Sequence, residues 1–167
     1  MEEVAFGTMV FDEIVYARTK GAINATTGET IWEYADFHTV FSDDVFYMWN
    51  DGHVQAIDAY SGEQLWVHEA GIDVTNVHTI TVAEGRVFVT FDRERLYALD
   101  AGTGELLWRS SLFEGIISPS YVVDNGVVVF GVYLPYPHGG GEEHNVGLDA
   151  STGKLLWRKK DGARRMV

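Results

Sequence analysis

Short runs of β-branched and aromatic residues alternate with Gly, Asp and Asn along the chain, and no stretch keeps a 3.6-residue hydrophobic period. Runs of this length, bounded by turn residues, predict strands and tight turns rather than helices. The pattern divides into four units of four predicted strands each. The strands are Val4–Val10, Ile14–Ala17, Ala22–Asn24 and Glu29–Tyr34; Phe37–Phe41, Val45–Trp49, His53–Asp58 and Glu63–His68; Val77–Val82, Arg86–Phe91, Arg95–Asp100 and Glu105–Arg109; and Ile117–Val123, Gly126–Leu134, Asn145–Asp149 and Lys154–Arg158.

Each unit contains the same eleven-residue phrase, which has a small residue first, Asp or Asn third, Gly seventh and Trp eleventh. Self-similarity of this kind is the sequence signature of a repeat architecture, in which each unit packs against its neighbours. Four of the five tryptophans close a copy of the phrase. The copies are AINATTGETIW (Ala22–Trp32), AIDAYSGEQLW (Ala56–Trp66), ALDAGTGELLW (Ala98–Trp108) and GLDASTGKLLW (Gly147–Trp157).

The positions within the phrase predict a strand, a tight turn and a second strand. A short Asp or Asn side chain can accept hydrogen bonds from backbone N–H groups two or three residues on, and Gly adopts a left-handed conformation cheaply. A tryptophan at constant phase predicts that each indole packs between neighbouring units, burying on the order of 200 Å². The turn residues are Asn24, Asp58, Asp100 and Asp149, the glycines are Gly28, Gly62, Gly104 and Gly153, and the tryptophans are Trp32, Trp66, Trp108 and Trp157.

The phrase resembles the tryptophan-docking motif of the PQQ-like β-propeller repeats found in quinoproteins and in BamB, and the resemblance covers all four units. It implies an all-β propeller of four-stranded antiparallel blades, in which the tryptophan packs on the turn of the neighbouring blade. The chain is then one propeller domain with blades at approximately 1–35, 36–69, 70–111 and 112–160, followed by a basic tail at 161–167.

Closure of the ring is the main structural question that the resemblance raises. Members of this family usually have about eight blades, so four blades form half of a ring. A half ring exposes apolar blade faces at both ends, and a second copy related by a two-fold axis would cover them. We therefore expect a homodimer that completes an eight-bladed ring. A closed four-bladed monomer and a fragment of a longer chain remain open as alternatives.

The charge is −13, which argues against non-specific nucleic-acid binding because such a surface repels phosphates. The last fourteen positions carry +5 and residues 1–153 carry −18. The chain has no cysteine and no apolar run of the roughly 20 residues that cross a bilayer. We expect no membrane span and a soluble protein, cytoplasmic as written, or periplasmic or extracellular if a leader was removed; a possible protein partner remains open.

One long insertion, at residues 135–144 in the fourth unit, is the candidate ligand loop. It offers His138, Glu142, Glu143 and His144 as nitrogen and oxygen donors, with three consecutive glycines between them. Glycine-rich polar segments are typical of exposed, flexible hairpins. His138 and His144 are the weak candidates for binding a metal ion, because their spacing fixes no ligand geometry. We expect no metal here.

No nucleophile–base arrangement, phosphate-binding loop or other catalytic motif stands out in the sequence. The quinoprotein dehydrogenases that the resemblance brings in use pyrroloquinoline quinone (PQQ) with Ca²⁺, but no matching calcium ligands or catalytic acid can be assigned here. We therefore expect a non-enzymatic propeller scaffold without a cofactor, which self-associates and binds a protein or small ligand. The alternative is a PQQ- or metal-dependent quinoprotein dehydrogenase, or a fragment of one.

Overall fold

The structure, a computed structural model, describes residues 9–17, 21–33, 38–50, 53–69, 79–91, 94–111 and 113–161. These residues form strands joined by turns and links, with no helix among them. The strands are β1 Met9–Phe11, β2 Ile14–Ala17, β3 Gly21–Asn24, β4 Thr30–Trp32, β5 His38–Ser42, β6 Val45–Asn50, β7 His53–Asp58, β8 Gln64–Glu69, β9 Thr79–Ala83, β10 Arg86–Thr90, β11 Tyr97–Asp100, β12 Leu106–Arg109, β13 Ile116–Asp124, β14 Val127–Pro135, β15 Gly141–Asp149 and β16 Leu155–Lys160.

The strands pair in chain order into four antiparallel sheets of four strands each, β1–β4, β5–β8, β9–β12 and β13–β16. These sheets are blades one to four. In every blade the small residue that opens the phrase lies opposite the tryptophan that closes it, as Ala56 lies opposite Trp66, and a bulge follows this pair. The prediction of an all-β propeller with four-stranded antiparallel blades is confirmed.

The described residues form three separate hydrophobic core clusters, one between each pair of successive blades. This follows from the strand geometry, because alternate side chains point to opposite faces and an inner blade therefore covers a neighbour on each side. The cluster between blades one and two includes Ile14, Tyr16, Phe46 and Ile57. The next includes Tyr47, Trp66, Val87 and Leu99, and the third includes Phe88, Trp108, Val128 and Leu148.

The fourth blade differs from the predicted pattern. β15 begins at Gly141 rather than at residue 145, and β14 continues to Pro135, so only residues 136–140 connect them. The expected flexible insertion is therefore mostly an extension of the β-hairpin, and β16 pairs with it as far as His144. The predicted residues 4–8 of the first strand and residues 162–167 of the basic tail lie outside the described part of the chain.

No helix in the described residues has the length and apolar character needed to traverse a bilayer.

Candidate functional site

One polar side chain organises the turn in each phrase. Asp58 Oδ1 accepts hydrogen bonds from the backbone N–H groups of Tyr60 and Ser61, at 3.1 and 2.8 Å. Asn24 Oδ1 accepts the same two bonds in the first blade, both at 2.9 Å. The glycine of each turn has φ between +69° and +73°, and its N–H donates to the carbonyl of the Asn or Asp four residues earlier.

Three of the four phrase tryptophans reach the turn of the following blade. Trp66 Nε1 donates to the carbonyl of Ala101 at 2.9 Å, and Trp108 Nε1 donates to the carbonyl of Ala150 at 3.0 Å. The ring also lies over the glycine of that turn, since a Cβ on Gly104 would be 2.5 Å from Trp66 Cε3. We call the alanine and glycine of each turn the indole seat of its blade. Trp32 likewise donates to Ala59, at 2.9 Å.

The fourth tryptophan and the first seat do not meet in the described structure. Trp157 is 37% exposed, whereas Trp66 and Trp108 are 8% and 9% exposed. The Trp157 ring lies against its own blade, because a Cβ on Gly147 would be 2.3 Å from Trp157 Cε2. A Cβ on Gly28, in the first seat, would have no neighbour within 4 Å. Among the described residues, one seat therefore lacks an indole and one phrase tryptophan lacks a seat.

A group of polar side chains joins the fourth-blade hairpin to the last strand. Glu142 Oε1 accepts hydrogen bonds from Tyr136 Oη and, at 2.6 Å, from Lys160 Nζ. Glu142 Oε2 lies 3.1 Å from His144 Nε2, and Arg158 Nε donates to His144 Nδ1 at 3.3 Å. Because Nδ1 is the acceptor, the neutral His144 ring carries its proton on Nε2 and donates it to Glu142. We call these five residues the Glu142 cluster.

Hydrogen bonds from Lys160, Tyr136 and His144 lower the pKa of Glu142 to about 2. The same contact with Glu142 raises the pKa of Lys160. The cluster is therefore an ionised carboxylate surrounded by donors at neutral pH. These contacts link the hairpin to β16, and the hairpin itself is strand because the β14–β15 ladder continues to Pro135 opposite Gly141.

The Glu142 cluster is expected to keep its ionised form well below the ordinary glutamate pKa of 4.5. Since the folded-state pKa is lowered, the stabilising contribution is present above about 4.5 and is lost as the pH falls through about 2. Lys160→Met removes the strongest lowering interaction, so the pKa of Glu142 should rise towards its ordinary value. An NMR titration of the side-chain carboxyl carbon measures this, with Lys159→Met as the matched control. A midpoint near 4.5 in the unsubstituted chain would contradict the expectation.

The structure brings two of the four candidate loop residues together. Glu142 and His144 contact each other, whereas His138 and Glu143 are exposed. Within the described ranges, no three His, Asp or Glu side chains are grouped in a way that could hold a metal ion. The sequence reasoning missed Tyr136, Arg158 and Lys160. The sequence offered no signal for them, because they depend on the register of β16 against the hairpin, which places Lys160 opposite His144.

Comparison with known protein families shows which family contains this repeated geometry. The family model described as outer membrane protein assembly factor BamB matches residues 6–80 and 50–167, which together cover almost the whole chain. The chain belongs to this family of PQQ-like β-propeller repeats.

Curated relatives of this PQQ-like propeller include proteins with very different names. Serine/threonine-protein kinase AfsK of Streptomyces griseus is 30% identical over 125 residues, 66% of this chain and 15% of the kinase. BamB of Yersinia pestis is 32% identical over 106 residues, 62% of this chain and 25% of BamB. The 1-butanol dehydrogenase (cytochrome c) of Thauera butanivorans is 33% identical over 101 residues, 47% of this chain and 14% of the enzyme. The chain spans a quarter or less of each relative.

Solved structures show the same fold at lower identity. BamB from Moraxella catarrhalis superposes with a TM-score of 0.61 at 17% identity, covering 95% of this chain and 51% of BamB. Quinohemoprotein alcohol dehydrogenase from Comamonas testosteroni superposes with a TM-score of 0.66 at 21% identity, covering 90% of this chain and 34% of the enzyme. At these identities the likeness shows the fold alone.

The first blade of this PQQ-like propeller has an apolar face that the described residues leave partly uncovered. Ile14 and Tyr16 face the second blade, so alternation turns Val15 and Ile23 the other way. Both are half-buried, and Val10 beside them is exposed. We call Val10, Val15 and Ile23, with the seat of the first blade, the leading face. The counterparts of Val15 and Ile23 in later blades are buried: Phe46 and Ile57, Val87 and Leu99, and Val128 and Leu148.

The fourth blade has the complementary face. Val122 and Val129 lie opposite each other, Val129 lies opposite Gly147, and Trp157 follows on the next strand. Val122 is 67% exposed, whereas its counterpart in the second blade, Val40, is 8% exposed because the third blade covers it. We call Val122, Val129 and Trp157 the trailing face. Each terminal blade thus presents one face that is buried wherever two blades meet inside the chain.

Proposed function

We propose that this chain is a non-enzymatic PQQ-like propeller scaffold, which self-associates to close a ring and binds a protein or small ligand. The observation that carries the proposal is the pair of uncovered, complementary faces on the first and fourth blades. Inside the chain, each trailing face meets a leading face and both become buried. Removing apolar surface from water is favourable by roughly 25 cal/mol per Å², so a partner that covers these faces is stabilised on them.

A second copy supplies both missing faces at once. If two copies are related by a two-fold axis along the propeller axis, the trailing face of each meets the leading face of the other. We call the contact between a trailing face and a leading face a seam, whether it lies within one chain or between copies. The ring then contains two equal seams between the copies. The proportions support this arrangement, because the chain spans 51% of the BamB chain from Moraxella catarrhalis. Two copies therefore provide about as much propeller as that single chain.

Charge supports the same orientation. Residues 154–160 on the fourth blade contain four basic residues and no acidic one, whereas residues 9–33 of the first blade contain four acidic residues and two basic ones, Arg18 and Lys20, and carry a net charge of −2. Opposite charges at the two ends favour head-to-tail encounter, and this attraction weakens as salt is added. The basic residues are Lys154, Arg158, Lys159 and Lys160, and the acidic residues are Asp12, Glu13, Glu29 and Glu33.

The fourth-blade hairpin is the proposed ligand-binding region. Its tip lies on the side of the propeller where the outer strands end, because Lys160 at the end of β16 lies opposite His144 near the start of β15. This side also carries the links between blades. Tyr136, a member of the Glu142 cluster, and Tyr133 nearby are both exposed on the hairpin. Tyrosine and arginine are enriched in protein-binding surfaces, and the rims of such surfaces are polar.

Self-association is tested by sedimentation velocity over a range of protein and salt concentrations. We expect a species of twice 18.7 kDa that dissociates on dilution, with weaker association at high salt. A species of 18.7 kDa alone at a concentration of about 1 mM would refute ring closure by a second copy, since even weak interfaces associate there.

The alternative function is a PQQ- or metal-dependent quinoprotein dehydrogenase, or a fragment of one, and the similarity to 1-butanol dehydrogenase (cytochrome c) of Thauera butanivorans favours it. The described residues fit this function poorly, because Ca²⁺ takes six to eight oxygen ligands and no group of three carboxylates or histidines converges there. With PQQ and Ca²⁺ added, we expect neither a thermal shift nor dye-linked alcohol oxidation. Saturable turnover would overturn the non-enzymatic proposal while leaving self-association to be judged by sedimentation.

A further inference from the structure

We infer that the Trp157 indole of one copy occupies the first-blade seat, Ala25 and Gly28, of a second copy. This inference rests on the proposed ring closure and deepens it, because it names the contact that selects the partner. The partner surface is the leading face of another molecule of this chain. In the ring, each copy contributes one indole and one seat, so the contact occurs twice.

The first seat is already formed without an occupant. Gly28 has φ +73°, the same value as Gly62 in the occupied second seat. The Gly28 N–H donates to the Asn24 carbonyl at 2.9 Å, as the Gly62 N–H donates to the Asp58 carbonyl at 2.9 Å. The Asn24 side chain also makes the two turn hydrogen bonds described above. A preformed seat accepts an indole without the cost of ordering a loop.

The Ala25 carbonyl is the expected hydrogen-bond acceptor in that seat. Its counterparts, the carbonyls of Ala59, Ala101 and Ala150, each accept a tryptophan Nε1 within 3.0 Å. The Ala25 N–H is held by the Glu13 carbonyl at 2.8 Å, in the same way that the Asp44 carbonyl holds the Ala59 N–H at 3.0 Å. The backbone of the first seat is therefore oriented like that of an occupied one.

Trp157 is in register to fill a seat but is folded back in this structure. It lies opposite Gly147 as Trp66 lies opposite Ala56. Gly147 has no Cβ, and the Trp157 ring occupies the space that one would take. A Cβ placed on Gly147 would lie 2.3 Å from Trp157 Cε2. The other three tryptophans face an alanine and cannot adopt this position. Binding a second copy therefore requires the Trp157 side chain to rotate away from Gly147.

A second copy is favoured over other occupants by the features already described. Its trailing face repeats the surface that fills each internal seat, and its basic last strand faces the acidic first blade. None of the described residues of the same molecule fills the seat, because a Cβ on Gly28 would meet nothing within 4 Å. Each occupied seat is filled by an indole on an apolar blade face, and a second copy carries such an indole on its trailing face.

The first experiment measures dimer dissociation constants by sedimentation for paired variants. Trp157→Ala should weaken association at least about 30-fold, because a buried tryptophan is lost from both seams. Its control is Leu156→Ala, since Leu156 is 50% exposed and its counterpart Leu107 is exposed beside a formed seam. We expect the control to associate like the unsubstituted chain. Equal, small effects of the two substitutions would contradict the inference.

The second pair tests the seat itself. Gly28→Asn should weaken association to a similar extent, because asparagine tolerates a left-handed backbone while its side chain fills the seat. Gly85→Asn is the matched control: Gly85 has φ +70°, and a Cβ there would meet nothing within 4 Å, as at Gly28. Normal association of Gly28→Asn would show that the seat is not used.

A third variant should strengthen association. Gly147→Ala blocks the folded-back position of the Trp157 ring. It also introduces the residue type found at Ala22, Ala56 and Ala98, each of which lies opposite a phrase tryptophan. We expect the dissociation constant to fall several-fold, because the free indole no longer has to leave its own blade. Weaker association would contradict a role for Trp157 in the seam.

Photo-crosslinking separates this inference from the proposed function. The photoreactive residue p-benzoylphenylalanine replaces Trp157 in unlabelled protein, which is mixed with ¹⁵N-labelled unsubstituted chain. Mass spectrometry should find unlabelled-to-labelled crosslinks within residues 25–28. Crosslinks within one chain would indicate a four-bladed closed ring and refute the inference. A dimer crosslinked only elsewhere would refute the seat while preserving self-association, and an unsubstituted chain that stays monomeric in sedimentation would refute both.

Discussion

Truncation of Trp66 or Trp108 to alanine is expected to lower the free energy of unfolding by about 3–5 kcal/mol. Each indole is more than nine-tenths buried between two blades and donates a hydrogen bond to the next blade. Its removal leaves a cavity in a seam, exposes apolar neighbours and leaves an alanine carbonyl without its donor. Urea unfolding followed by far-ultraviolet circular dichroism measures the loss.

Trp157→Ala is the matched control for these truncations. Its ring is 37% exposed and lies against Gly147 of its own blade rather than between two blades, so the cost in dilute monomer should stay below about 1 kcal/mol. The same phrase position then gives a large effect inside a seam and a small effect on the trailing face. Equal losses for Trp66→Ala and Trp157→Ala would show that packing between two blades does not make Trp66 more stabilising than Trp157.

Gly104→Ala is expected to destabilise the chain by about 2–4 kcal/mol, the second-largest effect. Two costs combine at this position. The φ of +73° disfavours any residue with a Cβ, and that Cβ would lie 2.5 Å from Trp66 Cε3, which forces the ring from its seat. Thermal unfolding should show a lowered midpoint, because about 1 kcal/mol shifts Tm by roughly 2–4 °C in a chain of this size.

Gly85→Ala isolates the backbone cost from the cost of displacing the ring. Gly85 has φ +70° and a Cβ there would meet nothing within 4 Å, so only the conformational penalty of about 1–2 kcal/mol applies. The difference between the two variants measures how tightly the indole fits its seat. If Gly104→Ala is no more destabilising than Gly85→Ala, the ring moves aside freely and seat occupancy contributes little.

The strands and turns of this chain were predictable because they depend on neighbouring residues. Alternating apolar positions define the blade strands, and the Asp58 side chain makes its turn with residues only two and three positions away. The prediction was less accurate at the hairpin of residues 135–144. Its glycines suggested a flexible loop, but Glu142 receives a hydrogen bond from Lys160, eighteen positions later in the chain. Composition alone does not reveal that contact.

By itself, the sequence determined a repeated unit: four strands, one turn and one tryptophan at constant phase, written four times with nearly equal residues. The tertiary structure decided that the four copies are not equivalent. The indole hydrogen bonds join residues 27, 35 and 42 positions apart, so each depends on where the next blade lies. Trp157 closes nearly the same phrase as Trp108, but none of the described blades covers its face, and it lies exposed opposite Gly147 while the seat at Gly28 stays open.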